Sequence, residues 1–322
     1  MASYNTISGL KVKYLSADPA NPEDGQVWYN SGTGKLRVAS VVGTGTWASG
    51  GAMSTARQNG GGFGTQTAGV VVGGETPART TATEEYDGAA WSTGGVYPAS
   101  YTKIGTAGTL TAGLGFGGGS PYGNTTTAEY DGTNWTAGGS FPLSYAAMGG
   151  AGTQTAGLSV AGDAYPTSPR NSNKSFEYNG AAWTAGGDLG TGRYATMSAG
   201  TQTAAATNGG TGPAATLTEE YDGSSWTAGG TGLQPQSFGG SSLNGTQDDW
   251  MTYGTNSPNY AFTQGYNGTS WSTRPSLATG RYSSAGAGTA SAALCMGGRA
   301  PAFSTATEEF TAPIGTASIT TS

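Results

Sequence analysis

The sequence predicts an all-β fold, a β-propeller of six units, on three observations. Six tryptophans, Trp47, Trp91, Trp135, Trp183, Trp226 and Trp271, follow one another at intervals of 44, 44, 48, 43 and 45 residues. A period in the forties with several short strands per unit marks a propeller or a repeat array. Each interval carries the same order of four short strand-like segments. The first tryptophan precedes any complete unit and the last unit ends without one, as expected of a ring whose two chain ends share one unit.

Residues 1–43 differ in texture from the rest. SGLKVKYLSADPANPEDGQVWYNSGTGKLRVAS reads as a strand, a Pro-rich turn and a hairpin whose strands, GQVWYN and KLRVAS, are joined by SGTG. Residues 44–310 hold the repeats, and 311–322 are left as a C-terminal tail.

Within a unit, segment a is exemplified by YAAMGGAG from Tyr145, b by TAGLSVAG, c by KSFEY, and d starts at Trp183. The a–b turn reads GTQTAG, GTLTAG, GTQTAG, GTQTAA and GTASAA; only GTQDDW at 245–250 departs. The c–d turn reads EYDGAAW, EYDGTNW, EYNGAAW, EYDGSSW and GYNGTSW. Its Asp/Asn-Gly supplies the positive φ of a tight hairpin. Because Asp and Asn exchange there, a turn role suffices and no charge is needed. The sixth a–b–c set ends at Phe310 without a d strand, whereas Trp47, in GTWASGG, is a d strand with nothing before it. Segment 44–50 is therefore expected to pair beside 305–310 and close the ring, leaving only short, protected edges.

An apolar b strand ending in a glycine pair, then a tyrosine, then a tryptophan resembles the kelch repeat over residues 44 to 310, with glycine in the c–d turn as a departure. DGQVWYNSGTGKLRV resembles an N-terminal segment of tailed-phage virion proteins, especially marine ones, which commonly continue into Gly/Thr-rich kelch-like repeats. The resemblance implies a multi-copy structural protein on the surface of the phage particle. Its N-terminal segment, with Trp28 and Tyr29, would dock to other virion proteins and the propeller would be displayed.

Composition narrows the function. Only 10% of residues are charged and the net charge is −6, against a binder of nucleic-acid phosphates, which needs a basic stripe. No apolar run reaches membrane-spanning length, and the N-terminus has no apolar core of a secretory signal. The single Cys295 is expected to be a small buried hydrophobe. There is no histidine, which removes the usual general base, the Ser-His-Asp triad and most zinc sites. No enzyme activity, cofactor or metal is expected. Glu84-Glu85, Glu219-Glu220 and Glu308-Glu309 recur at one place in the unit. Adjacent strand residues face opposite ways, so these are structural pairs and not catalytic dyads. Asp248-Asp249 would hold a cation with Asp163 or Asp188 only by accident of the fold.

The a–b and c–d turns share one end of the propeller and barely vary. The b–c and d–a loops share the other end and vary freely, with Pro, Tyr and Arg. Loops on a rigid scaffold are where binding concentrates. The candidate ligand-binding residues are Arg57, Tyr101, Tyr145, Arg193, Tyr194, Arg281 and Tyr282, expected at the mouth of the central channel, where Tyr and Arg are favoured anchors and tyrosine faces suit sugar rings. The alternative to binding of a host-surface glycan or protein is a purely structural capsid-decoration or spacer role.

Overall fold

The computed structural model describes residues 12–20, 26–41, 44–119, 122–256, 260–299 and 301–318. The start of the expected N-terminal strand, most of the Pro-rich turn and the last four residues lie outside them. The described residues are all-β apart from one 3-10 turn at Gly212–Ala214. They divide into two compact units, Met1–Gly45 with Ala312–Ser322, and Thr46–Thr311.

The first unit is one four-stranded sheet. β1 (Lys13–Leu15) runs parallel to β2 (Val27–Asn30), and β2 forms the expected hairpin with β3 (Lys35–Val41). Asp18 ties it together. It accepts from Trp28 Nε1 at 2.9 Å, Asn30 Nδ2 at 2.6 Å and Arg37 Nη2 at 2.9 Å, and these hydrogen bonds hold its carboxyl below the usual range.

The second unit contains six four-stranded antiparallel sheets and is propeller-like. β4 (Thr46–Ser49) opens it. The first sheet is β5 (Gly61–Thr65), β6 (Ala68–Val72), β7 (Thr83–Tyr86) and β8 (Trp91–Thr93). The second is β9 (Gly105–Thr109), β10 (Ala112–Phe116), β11 (Thr127–Tyr130) and β12 (Trp135–Ala137). The third is β13 (Gly149–Gly152), β14 (Gly157–Val160), β15 (Ser175–Tyr178) and β16 (Trp183–Ala185). The fourth is β17 (Met197–Thr201), β18 (Ala204–Asn208), β19 (Thr218–Tyr221) and β20 (Trp226–Ala228). The fifth is β21 (Gly240–Ser241), β22 (Trp250–Tyr253), β23 (Thr263–Tyr266) and β24 (Trp271–Arg274). In the sixth, β25 (Ala285–Gly288), β26 (Ala292–Met296) and β27 (Thr307–Thr311) are completed by β4, with Phe310 opposite Trp47.

β28 (Ile314–Ser318) pairs antiparallel with β3, so the segment expected as a tail contributes the fourth strand of the N-terminal sheet.

Local chemistry explains the regularity. In the c–d turn, Asp87 Oδ1 accepts the amides of Ala89 at 2.8 Å and Ala90 at 2.7 Å. Gly88 between them has φ 91°, a value an L side chain tolerates poorly. Asn179 makes the same two bonds, at 3.0 and 2.9 Å, so a neutral oxygen serves as well as a charged one. Hydrogen bonds from the Ser225 amide, then from the Ser224 hydroxyl and amide, pull the corresponding Asp222 carboxyl down to about 2.

The first strands of the sheets adjoin one another in the cycle β5, β9, β13, β17, β21, β25 and back to β5. A Cβ on Gly150 would lie 2.1 Å from Thr106 O, and one on Gly286 2.3 Å from Ser241 O, which is why this inner wall is so poor in side chains. Further out, each tryptophan fills the wedge between sheets. The Trp135 ring lies 4.8 Å from Tyr130 in its own sheet and 6.1 Å from Phe63 in the previous one, and its Nε1 donates to Thr83 Oγ1 at 2.9 Å.

Candidate binding face

Antiparallel order places all b–c and d–a loops at one end of the second unit, opposite the a–b and c–d turns. The d–a loops meet there in a closed circle of backbone hydrogen bonds. Lys103 N donates to Asn59 O at 2.7 Å, Ala147 to Lys103 at 2.9 Å, Ala195 to Ala147 at 2.7 Å, Phe238 to Ala195 at 3.1 Å, Ser283 to Phe238 at 2.6 Å and Asn59 to Ser283 at 2.8 Å. All six residues are non-glycines with φ between 53° and 57°, a left-handed conformation that costs an L-residue about 1–2 kcal/mol each. The circle and the first strands line a cavity of about 110 Å³. That volume is suited to a few waters and too small for a typical organic ligand.

Four residues before each first strand stand Arg57, Tyr101, Tyr145, Arg193, Gln236 and Arg281. The three arginines, expected at the channel mouth, are instead fully buried. Each ion-pairs with a buried glutamate of its own sheet: Arg57 with Glu84, Arg193 with Glu219 and Arg281 with Glu308. Each glutamate also accepts a d–a loop amide, from Ser54 at 2.7 Å, Gly190 at 2.6 Å and Ala278 at 2.7 Å. These arginines therefore fasten loops to strands and offer no charged group to solvent. Where the arginine is absent the glutamate is too. Tyr101 goes with Ala128, Tyr145 with Phe176, and Gln236 with Gln264, the last pair hydrogen-bonded at 3.0 Å.

The second glutamates of the pairs point to the neighbouring sheet. Glu85, Glu220 and Glu309 accept the hydroxyls of Tyr130, Tyr266 and Tyr86. Asp163 is bound by Arg170 and Asp188 by Lys174, and among the described residues no three His, Cys, Asp or Glu side chains converge on a metal position. Cys295 is buried in β26, and burial raises its thiol pKa.

Tyr101 and Tyr145 are half-buried and pack against the inter-sheet core. Tyr194 and Tyr282 are also half-buried, and their rings join groups that sequence reasoning did not select. The Arg170 guanidinium lies 5.3 Å from the Tyr194 ring and 5.0 Å from the Tyr165 ring. Tyr165 stacks on Tyr122 at 5.5 Å, and both are exposed, at 38% and 56%. Tyr194 also meets Phe238 at 6.2 Å, over which Lys103 Nζ sits at 5.6 Å. Tyr122, Tyr165, Arg170, Tyr194, Phe238 and Lys103 thus form one track of rings and cations. The signal available in the sequence was the length of the third b–c loop, which carries Tyr165 and Arg170.

In the first unit Trp28 is completely buried, its Nε1 held by Asp18. It is a core residue, unavailable for the docking role expected of it. Tyr29 is half-buried and its ring lies 4.8 Å from that of Tyr14, which is 74% exposed.

No protein-family model matches the chain, and no curated protein matches it.

Proposed function

We propose that Thr46–Thr311 is a six-bladed kelch-like propeller closed by β4, and that the chain is a virion-surface protein of a tailed phage which displays this propeller as a binding module for a host-surface glycan or protein. The observation that carries the binding reading is the asymmetry between the two ends. One end repeats nearly the same turns, whose opening Asp or Asn and bridging Gln side chains are bound to backbone groups. The other presents the Tyr122–Tyr165–Arg170–Tyr194 track, with two exposed rings available for stacking. Aromatic and arginine side chains on a rigid frame give contact area at low entropic cost. The absence of histidine from the sequence fits a binder better than an acid–base catalyst. The virion assignment rests on the resemblance of residues 24–38, and attachment falls to the N-terminal sheet.

The test is binding of the purified chain to host cells and to a glycan array. Tyr165→Ala and Tyr194→Ala are expected to weaken binding tenfold or more with unchanged thermal stability. Unchanged binding in both variants would overturn the assignment of this face. Antibody labelling of particles in which the loop end is covered by neighbouring proteins would overturn the display role.

A further inference from the structure

A second cavity on the same face, of about 480 Å³, is lined by Tyr260, Tyr282, Arg299 and Pro301. Tyr260 and Tyr282 present rings with centroids 5.6 Å apart and planes inclined at 32°. The backbones of Tyr282 and Arg299 exchange hydrogen bonds of 3.2 and 2.9 Å, which fixes one ring relative to the arginine. The Arg299 guanidinium is itself held: Nε donates to Pro301 O at 2.8 Å, and the group lies 5.6 Å over the Phe303 ring. Its terminal nitrogens have no carboxylate partner among the described residues, whereas Arg57, Arg170, Arg193 and Arg281 each have one. Among the described residues no acidic side chain lines the cavity.

We propose that this cavity binds a carboxylate-bearing sugar, a uronic acid residue of an acidic polysaccharide. A positioned guanidinium fork matches a carboxylate through two parallel N–H···O bonds. The two tyrosines offer flat, rigid faces with polar tips, suited to the ring of a pyranose carrying that carboxylate. The volume falls within the range of small-ligand sites. An acidic peptide would satisfy the arginine and leave the paired ring faces unexplained. The inference rests on the reading that this face binds glycan, and names the class.

The experiment is calorimetric titration of the full chain with tetrasaccharides of galacturonate, guluronate and alternating glucuronate, with their carboxyl-reduced counterparts, and with a glutamate hexapeptide. At least one uronate tetramer is expected to bind. Its carboxyl-reduced form should bind at least tenfold more weakly, and Arg299→Ala and Tyr282→Ala should each lose a similar factor. Lys35→Ala, an exposed cation on β3, should bind the tetramer as the unaltered chain does, and Arg299→Ala should keep the melting temperature. The proposal is overturned if no uronate tetramer binds, if the reduced forms bind equally, if Arg299→Ala is without effect, or if the hexapeptide outcompetes every uronate. Host-cell binding measured alongside separates the two levels. Binding that persists in Arg299→Ala sinks this site alone, whereas no cell or glycan binding by the unaltered chain sinks the broader reading with it.

Discussion

The hydroxyl of Tyr86 on β7 donates to Glu309 on β27, 223 positions further along the chain. The same contact links Tyr130 to Glu85, Tyr178 to Glu129, Tyr221 to Glu177 and Tyr266 to Glu220. At the remaining junction both partners are gone: Phe310 has no hydroxyl, and Gly265 stands where the glutamate would be. An unpaired hydroxyl or carboxylate between packed sheets costs more than having neither, which accounts for the joint loss. Tyr86→Phe is therefore expected to destabilise the protein by about 1–2 kcal/mol, since a hydrogen bond to a charged group is lost while half-buried Glu309 keeps some access to water. Combined with Glu309→Ala, the two losses should add to less than their sum, by about 0.5 kcal/mol or more. Urea unfolding of the four proteins measures this, and strict additivity would refute the coupling.

Breaking a buried ion pair on one side leaves an uncompensated charge, at a cost of about 3–5 kcal/mol. Arg193→Ala should approach that loss, because Glu219 and the carbonyls of Gly209 and Leu217 all lose their donor. The fifth sheet supplies a neutral solution in Gln236 and Gln264. Arg193→Gln together with Glu219→Gln should consequently be more stable than Arg193→Ala. Chemical denaturation followed by tryptophan fluorescence tests the order, and a double variant as unstable as Arg193→Ala would show that the charges themselves are required.

The strand order and the Asx-Gly turns are legible in the chain because each rests on short-range spacing, and the pairing of β4 beside β27 because the repeat count leaves one d strand and one a–b–c set unmatched. The fate of Arg57 is not. Its head turns inward because Glu84, 27 residues away, and the Ser54 amide that shares this carboxylate fold around it, and no local pattern in GAMSTAR encodes that. Trp28 likewise looks like an exposed anchor until Asp18 is brought to its indole. The parallel pairing of β1 with β2 is invisible in a segment that reads as a strand, a Pro-rich turn and a hairpin. The ring-and-cation track was missed for a related reason: Tyr122, Arg170 and Tyr194 come from three loops, and only the fold makes them neighbours.

Gln154 in the a–b turn donates to Gly113 O at 3.0 Å and Tyr130 O at 2.9 Å of the preceding sheet. Gln66, Gln202 and Gln247 reach across in the same way. Gln247 does so from the divergent turn GTQDDW, so the glutamine survives where the surrounding turn changes. Gln154→Ala should cost about 1–2 kcal/mol, at roughly 1 kcal/mol per hydrogen bond, and lower the melting temperature by about 2–6 °C in a domain of this size. Leu110 holds the equivalent place in the second sheet and packs on the core. Leu110→Gln exchanges that packing for two hydrogen bonds and should change stability by less than about 1 kcal/mol. Equal losses in the two variants, by scanning calorimetry, would count against the glutamine latch.

The interface tyrosines also set the alkaline limit of stability. Burial, and then the adjacent carboxylate, push Tyr86, Tyr130, Tyr178, Tyr221 and Tyr266 from 10 up to about 12. A hydroxyl whose folded pKa is raised stays protonated in the folded protein after the unfolded chain has begun to ionise. Its contribution is fully present below the unfolded value near 10 and is lost as pH rises through about 12, because the unfolded state there binds fewer protons. Unfolding free energy should therefore be insensitive to these groups up to pH 9 and fall steadily between pH 10 and 12. The Tyr86→Phe and Tyr130→Phe variants, each with one fewer raised phenol, should show a shallower fall over that window. Tyrosinate absorbance recorded during the same titration should lag behind that of the urea-unfolded chain, and coincident curves would refute the assignment.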